Sequence, residues 1–158
     1  MGVGKSTLGK IVAQKLNWRY IDNDVDMATQ SGMTIAELSA LPVPELHKIE
    51  AEFIKRVMQQ DAPLISGAAA SVIENEEIRE MLKNVYAVYL SISVEKAIER
   101  ASTGTVGRQA LTGEGTQILR ERFARRDPLY RSVASLIIEQ SGSPENDSEI
   151  ILEAITFQ

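Results

Sequence analysis

The chain opens on Gly2-Val3-Gly4-Lys5-Ser6-Thr7, the second half of the phosphate-loop pattern G-x-x-x-x-G-K-[ST]. In the full pattern a buried strand passes through a glycine-rich turn into a helix. Backbone N–H groups of the turn and of the helix start then point at phosphate oxygens, where the helix dipole also favours negative charge. In that geometry Lys5 holds the β- and γ-phosphates and Ser6 holds Mg²⁺. Leu8, Ile11, Val12 and Leu16 follow at helical spacing, so Gly4-Lys5-Ser6 opens an amphipathic helix, as the loop requires. A bare Gly-Lys-Ser is equally compatible with an ordinary turn capping a helix. The pattern's first glycine and its strand would lie ahead of Met1, so the expectation is a chain truncated at its N-terminus or a degenerate loop.

Downstream, helical and strand-like periods alternate, which is the signature of an α/β domain with a mostly parallel sheet. Trp18 to Ile21 reads as a short strand ending at Asp22, Leu64-Ile65-Ser66 as a second, Val85 to Ser91 as a third and Leu136-Ile137-Ile138 as a last. Thr34-x-x-Glu37 is a capping box ahead of Leu38. Pro44 suits the first turn of a helix whose buried stripe is Leu46, Ile49, Phe53 and Val57. Further helices are expected over Glu74 to Leu82, Val94 to Ala101, Gln117 to Tyr130 and Pro144 to Ile155. The glycine-rich stretch at 102–115 reads as a mobile loop able to act as a lid. At 158 residues and 44% hydrophobic content, a single domain over 1–158 is expected, with five strands once the absent first one is counted.

The net charge of −5 gives no basic field for nucleic acid, and nothing resembles a signal peptide or a spanning helix. With no cysteine there is no disulfide framework or thiolate metal site, and a reducing cytosol is the expected compartment. The expected ligands are small molecules, and the expected state is a monomer.

Asp22, Asp24 and Asp26 sit at the end of the first visible strand. In extended chain the first two would project to the same side, both facing a ligand at the sheet's carboxyl edge. A solvated turn is the plain alternative. A calcium loop fails on Met27 and Met33, where a glycine and a bidentate glutamate belong. A kinase site explains the pair better, with one carboxylate near Mg²⁺ and one near the acceptor hydroxyl. Ser66-Gly67-Ala68-Ala69-Ala70 leaves its strand with only small side chains, which suits either close backbone approach to a ligand or close helix packing. Arg108 on the glycine-rich loop and Arg126 in Arg126-Asp127-Pro128-Leu129-Tyr130 are the candidate phosphate and carboxylate clamps. Arg120, Arg122 and Arg125 read as a solvated helix face. His47, the only histidine, has no metal-sharing partner in sequence and is not a candidate base.

Taken in order, Gly-x-Gly-Lys-Ser-Thr, Tyr20-Ile21-Asp22-Asn23-Asp24, the small-residue turn after Ser66, a lid arginine and Arg126-Asp-Pro-Leu-Tyr resemble the shikimate kinase family along almost the whole chain. The resemblance implies a three-layer P-loop kinase fold of the nucleoside-monophosphate-kinase type. Its parallel sheet has the order 2-3-1-4-5, the first strand being the one missing here, and a substrate-binding helical segment lies at about 24–60. It implies transfer of the γ-phosphoryl of ATP, with Mg²⁺, to the 3-hydroxyl of shikimate. By the same resemblance Gly2, Val3, Gly4, Lys5, Ser6 and Thr7 bind the nucleotide, and Ser6 and Asp22 serve the metal, Asp22 through water. Asp24 binds the acceptor hydroxyls and takes or orients the proton, Lys48, Gly67, Ala68, Ala69 and Arg126 bind shikimate, and Arg108 closes over the reacting phosphates.

Three departures stand out. The family's usual Phe-Arg in the substrate helix is His47-Lys48, its Gly-Gly-Gly is Gly67-Ala68-Ala69, and the first strand and glycine are absent. The first two changes bear on the acceptor rather than on ATP; the third is expected to leave the domain less stable than a complete one. The family's basic residue near the adenine has no counterpart in Gln140-Ser141-Gly142-Ser143. A kinase for another hydroxyl acceptor, and a catalytically inactive binding module, are the competing readings.

Overall fold

The computed structural model describes residues 4–102 and 113–156. Gly4 turns the chain into the first helix, α1 (Lys5–Leu16), at φ 77°. That left-handed conformation costs a side chain dearly and glycine little. Gly4, the residue that starts α1, has no side chain to cap it, so among the described residues the first N–H groups of the helix are left for a ligand. At the other end Asn17, also left-handed, closes the helix through Asn17 N–H to Gln14 O and Trp18 N–H to Ala13 O.

Strand β1 (Arg19–Ile21) pairs in parallel with β2 (Leu64–Ser66), Ile21 opposite Ser66. Strand β3 (Val88–Ser91) pairs in parallel with β4 (Leu136–Glu139). These are the two outer couples of the expected order 2-3-1-4-5, and among the described residues they form two separate two-stranded sheets. Helix α1 lies across both: Leu8 and Val12 share one core with Ile65 of β2, Val88 and Leu90 of β3, and Ile138 of β4. The last helix, α8 (Pro144–Thr156), adds Ile151 to it. Leu64, which alternates with Ile65 and so faces the other way, joins a second core with Ile21, Phe53 and Val57. Helices thus cover both faces of the β1–β2 pair, giving the expected α/β layering.

The second core is built by α2 (Asn23–Ser31), α3 (Ile35–Ala40), α4 (Val43–Met58) and α5 (Glu76–Leu82). The capping box at Thr34 and Glu37 is present, and Phe53 on the α4 stripe is fully buried. Helix α2 falls within the helical segment expected at about 24–60, although the local reading had not located it. The helix expected from Glu74 is broken, because Val72–Glu74 forms a short 3-10 turn and Asn75, in extended conformation, caps α5 by accepting the Ile78 N–H at 3.2 Å. Removing that cap by Asn75→Ala is expected to cost about 1 kcal/mol of stability, read as a lowered midpoint in thermal unfolding.

The third strand starts at Val88, not Val85, because its partner β4 begins only at Leu136; the N–H groups of Ser135 and Leu136 converge on Ala87 O. Helix α6 (Val94–Ser102) follows, and α7 (Gly113–Val133) begins earlier and ends later than its apolar spacing indicated. Most of the expected lid, Arg108 included, lies outside the described residues, as do Gly2 and Val3. Among the described residues no helix is long and apolar enough to cross a membrane.

Candidate active site

Lys5 stands in the first turn of α1, half-buried. Burial pushes its ammonium pKa down, while the carboxylates of Asp24 and Glu50 pull it back up. Groups on α1, α2 and α4, far apart in sequence, are therefore brought to one place. Glu50 is fixed there by the Ser71 hydroxyl, which donates to its Oε2. Glu50 escaped the sequence reading, although a signal existed: it falls four residues after Leu46 and three before Phe53, a carboxylate on the apolar stripe of α4.

The two aspartates are not side by side on extended chain, as the sequence reading had them. Helix α2 starts directly after Asp22, which becomes its cap, and Asp24 lies in the first turn. Asp22 Oδ1 accepts the Asp24 N–H at 3.2 Å, and its Oδ2 pairs with Lys10 Nζ at 3.0 Å. Burial acts to raise the Asp22 pKa, but the Lys10 ammonium and the N–H groups of Val25 and Asp24 outweigh it and hold the carboxyl below its usual value. Asp24 Oδ1 accepts from Asn23 Nδ2 at 3.0 Å.

Behind the pair, Tyr20 lies so close under α1 that a Cβ at Gly9 would meet its ring at 2.7 Å, hence the glycine. Its buried hydroxyl interacts with the Ser6 side chain, and the buried Asn23 Oδ1 has no hydrogen-bond partner among the described residues. A Cβ at Gly67 would stand 3.7 Å from both the Tyr20 hydroxyl and Asn23 Cβ, so Tyr20 and Asn23 flank the turn leaving β2. The Ser6 hydroxyl and the Asp22 carboxylate are hard oxygen donors of the kind Mg²⁺ takes. No cluster of three or more His, Cys, Asp or Glu among the described residues could hold a metal alone. Ser6 and Asp22, the latter already paired with Lys10, would contribute oxygens to a Mg²⁺ brought in with a nucleotide's phosphates.

The small-residue turn is half-buried, with Ala68 and Ala69 packed on the second core. Helix α7 closes on its far end. Tyr130 donates its hydroxyl hydrogen to Ala70 O at 2.6 Å, and Arg126 donates from Nε and Nη2 to Glu74 Oε2 at 3.0 and 2.6 Å. Arg125, read from sequence as a solvated arginine, also reaches Glu74. The structure thus joins the turn and Arg126, while Lys48 is exposed on α4 and Thr7 is exposed on α1.

Beside Gly4, a cavity of about 210 Å³ is lined by Leu8, Arg100, Gln140, Gly142, Pro144 and Asp147. Arg100 Nη1 donates to Gln140 Oε1 at 3.0 Å. A basic residue does reach the loop after β4, but it comes from α6, where no local pattern marks it.

The chain is similar to proteins of one family. The family model described as shikimate kinase matches residues 1–156. A shikimate kinase of Rhodococcus jostii (strain RHA1) is 34% identical over 142 residues, covering 89% of this chain and 84% of that protein. The structure of a shikimate kinase from Acinetobacter baumannii in complex with shikimate superposes with a TM-score of 0.81 at 29% identity, over 99% of this chain and 88% of that one. That of Aquifex aeolicus shikimate kinase, at 22% identity, shares the fold with a TM-score of 0.82, over 99% and 92%. The chain belongs to the shikimate kinase family.

Proposed function

We propose that the protein transfers the γ-phosphoryl group of ATP to the 3-hydroxyl of shikimate, giving shikimate 3-phosphate and ADP. The observation that carries this reading is the electrostatic attraction between Lys5, at the start of α1, and Asp24 in the first turn of α2. The N–H groups from Gly4 to Thr7 and the Lys5 ammonium receive the β- and γ-phosphates, and Gly2 and Val3, outside the described residues, are assigned to the same nucleotide site. Ser6 and Asp22 supply oxygens to Mg²⁺, which when bound neutralises phosphate charge. Asp24 accepts the proton of the attacking hydroxyl. Arg126 and Lys48 hold the acceptor's carboxylate, and the Gly67-Ala68-Ala69 turn forms the floor beneath it. Positioning and charge neutralisation of this kind provide most of the catalysis in phosphoryl transfer. The cavity beside Gly4 receives the rest of the nucleotide, with Arg100 at its edge.

The reading places a monomer in the cytosol, acting on a small molecule rather than on nucleic acid or a membrane; the net charge of −5 and the lack of cysteine support it. A coupled ADP-release assay with ATP, Mg²⁺ and single acceptors tests it. ADP release is expected to depend on shikimate. Turnover only with another acceptor, for example an acyclic hydroxy acid such as gluconate, reassigns the substrate, and ATP binding without turnover on any acceptor removes the kinase reading.

A further inference from the structure

Arg126 carries the acceptor's carboxylate in the reading above, and its guanidinium is already engaged. A single oxygen, Glu74 Oε2, accepts from both Nε and Nη2 of Arg126, at 3.0 and 2.6 Å, and the other, Oε1, accepts from Arg125 Nε at 2.5 Å. Guanidinium is planar, with its donors in fixed directions. Glu74 therefore occupies the edge formed by Nε and Nη2. Nη1 makes no hydrogen bond among the described residues, which leaves it and the second N–H of Nη2 on the other edge.

Glu74 is itself well anchored. It ends the 3-10 turn, its N–H bonds to Ser71 O at 3.0 Å, Arg79 Nη1 ties down the preceding carbonyl of Ile73 at 2.9 Å, and Asn75 starts the next helix. The Arg126 side chain is only 12% exposed, and one turn along α7 Tyr130 is bonded to Ala70 O at the end of the small-residue turn. A buried arginine gripped on one edge by a rigid carboxylate has lost the rotamer freedom it would otherwise lose on binding. With two guanidinium groups against one carboxylate, the cluster still carries a net positive charge.

We propose that Glu74 is a positioning residue for the acceptor site: by holding one edge of Arg126 it fixes the guanidinium plane and presents the other edge as a preformed fork for the substrate's carboxylate. The inference rests on Arg126 binding that carboxylate. Glu74 touches no substrate, so its effect falls on acceptor affinity and leaves the phosphoryl-transfer step alone. Its own ionisation is secured by the site, since burial acts to raise its pKa but Arg126 and Arg125 outweigh that and hold it low.

The test uses the whole protein with Glu74→Ala, Glu74→Asp, Glu74→Gln and Arg126→Ala, measuring KM and kcat for shikimate, KM for ATP, shikimate binding without ATP, and thermal unfolding. Glu74→Ala is expected to raise KM for shikimate and weaken its binding about tenfold, with kcat and KM for ATP within about twofold. Glu74→Asp, too short to reach both arginines, is expected to do the same without removing the charge. Glu74→Gln keeps an oxygen for Arg126 and is expected to restore most of the affinity. A lowered KM in Glu74→Ala would make Glu74 a competitor for the fork, and an unchanged KM in both Glu74→Ala and Glu74→Asp would make it only a fastener between the turn and α7; either overturns the proposal. If Arg126→Ala binds shikimate normally, the assignment of Arg126 fails instead, whatever the Glu74 variants do.

Discussion

Lys5→Met is expected to reduce kcat by about 10³-fold while leaving the ligand-free protein at least as stable as the wild type. The loss follows from the place of the ammonium, which stands at the start of α1 where transferring phosphate charge must be met in a partly dehydrated site. The gain follows from the same burial. The largest influence on the Lys5 pKa is desolvation, which lowers it, and the attraction of Asp24 and Glu50 does not fully offset that. Folding therefore works against the charged form, and methionine keeps much of the stem's packing without that penalty. The pH dependence has a definite sign. When the folded pKa lies below the unfolded one, the unfolded state binds more protons between the two values, so wild-type stability rises with pH across that interval. The stability advantage of Lys5→Met should thus be full below the folded pKa and fade as pH climbs through it toward the unfolded pKa. Thermal unfolding at several pH values and the ADP-release assay check both halves. A variant that keeps more than about a tenth of wild-type kcat would remove Lys5 from the phosphate site.

The parts of this site that local chemistry dictates could be read from sequence. Gly4 must be glycine because the turn into α1 needs φ 77°, and the spacing of Leu8 and Val12 fixes which face of that helix is buried. The α4 stripe and the Thr34 cap announce themselves in the same way. Helix α2 could have been found as well. Asp22 followed by Asp24 and Asp26 is a capping residue with acids in the first turn, where the helix dipole favours them, but three alternating aspartates after a strand looked like extended chain. Asn75 hid the cap of α5 for a similar reason, since the apolar period runs past it. What no local pattern contains is partnership across the fold. Glu74 meets Arg126 only because α7 packs on the 3-10 turn, Lys10 meets Asp22 only because α1 crosses β1, and Arg100 reaches Gln140 only because α6 and the loop after β4 converge.

Asp24→Asn is expected to lower kcat by about 10²- to 10⁴-fold, the range for removing a general base, with KM for ATP changed no more than a few-fold. Its value as a test comes from how little else it alters. The side chain keeps its shape in the first turn of α2, and an amide oxygen can still accept from Asn23 Nδ2, as Asp24 Oδ1 does at 3.0 Å. Asp22, which caps the helix and pairs with Lys10, is untouched, so the dependence of rate on Mg²⁺ should stay near that of the wild type. Lys5 loses one of the two carboxylates that raise its pKa, but Glu50 remains to attract the ammonium. The fall in kcat can then be assigned to the proton of the acceptor hydroxyl rather than to nucleotide binding. The alternative outcome is equally informative. If Asp24→Asn turns over at the wild-type rate, the carboxylate beside Lys5 that does the chemistry must be Glu50, held ready by the Ser71 hydroxyl at the start of the 3-10 turn, and Glu50→Gln should then show the loss that Asp24→Asn does not.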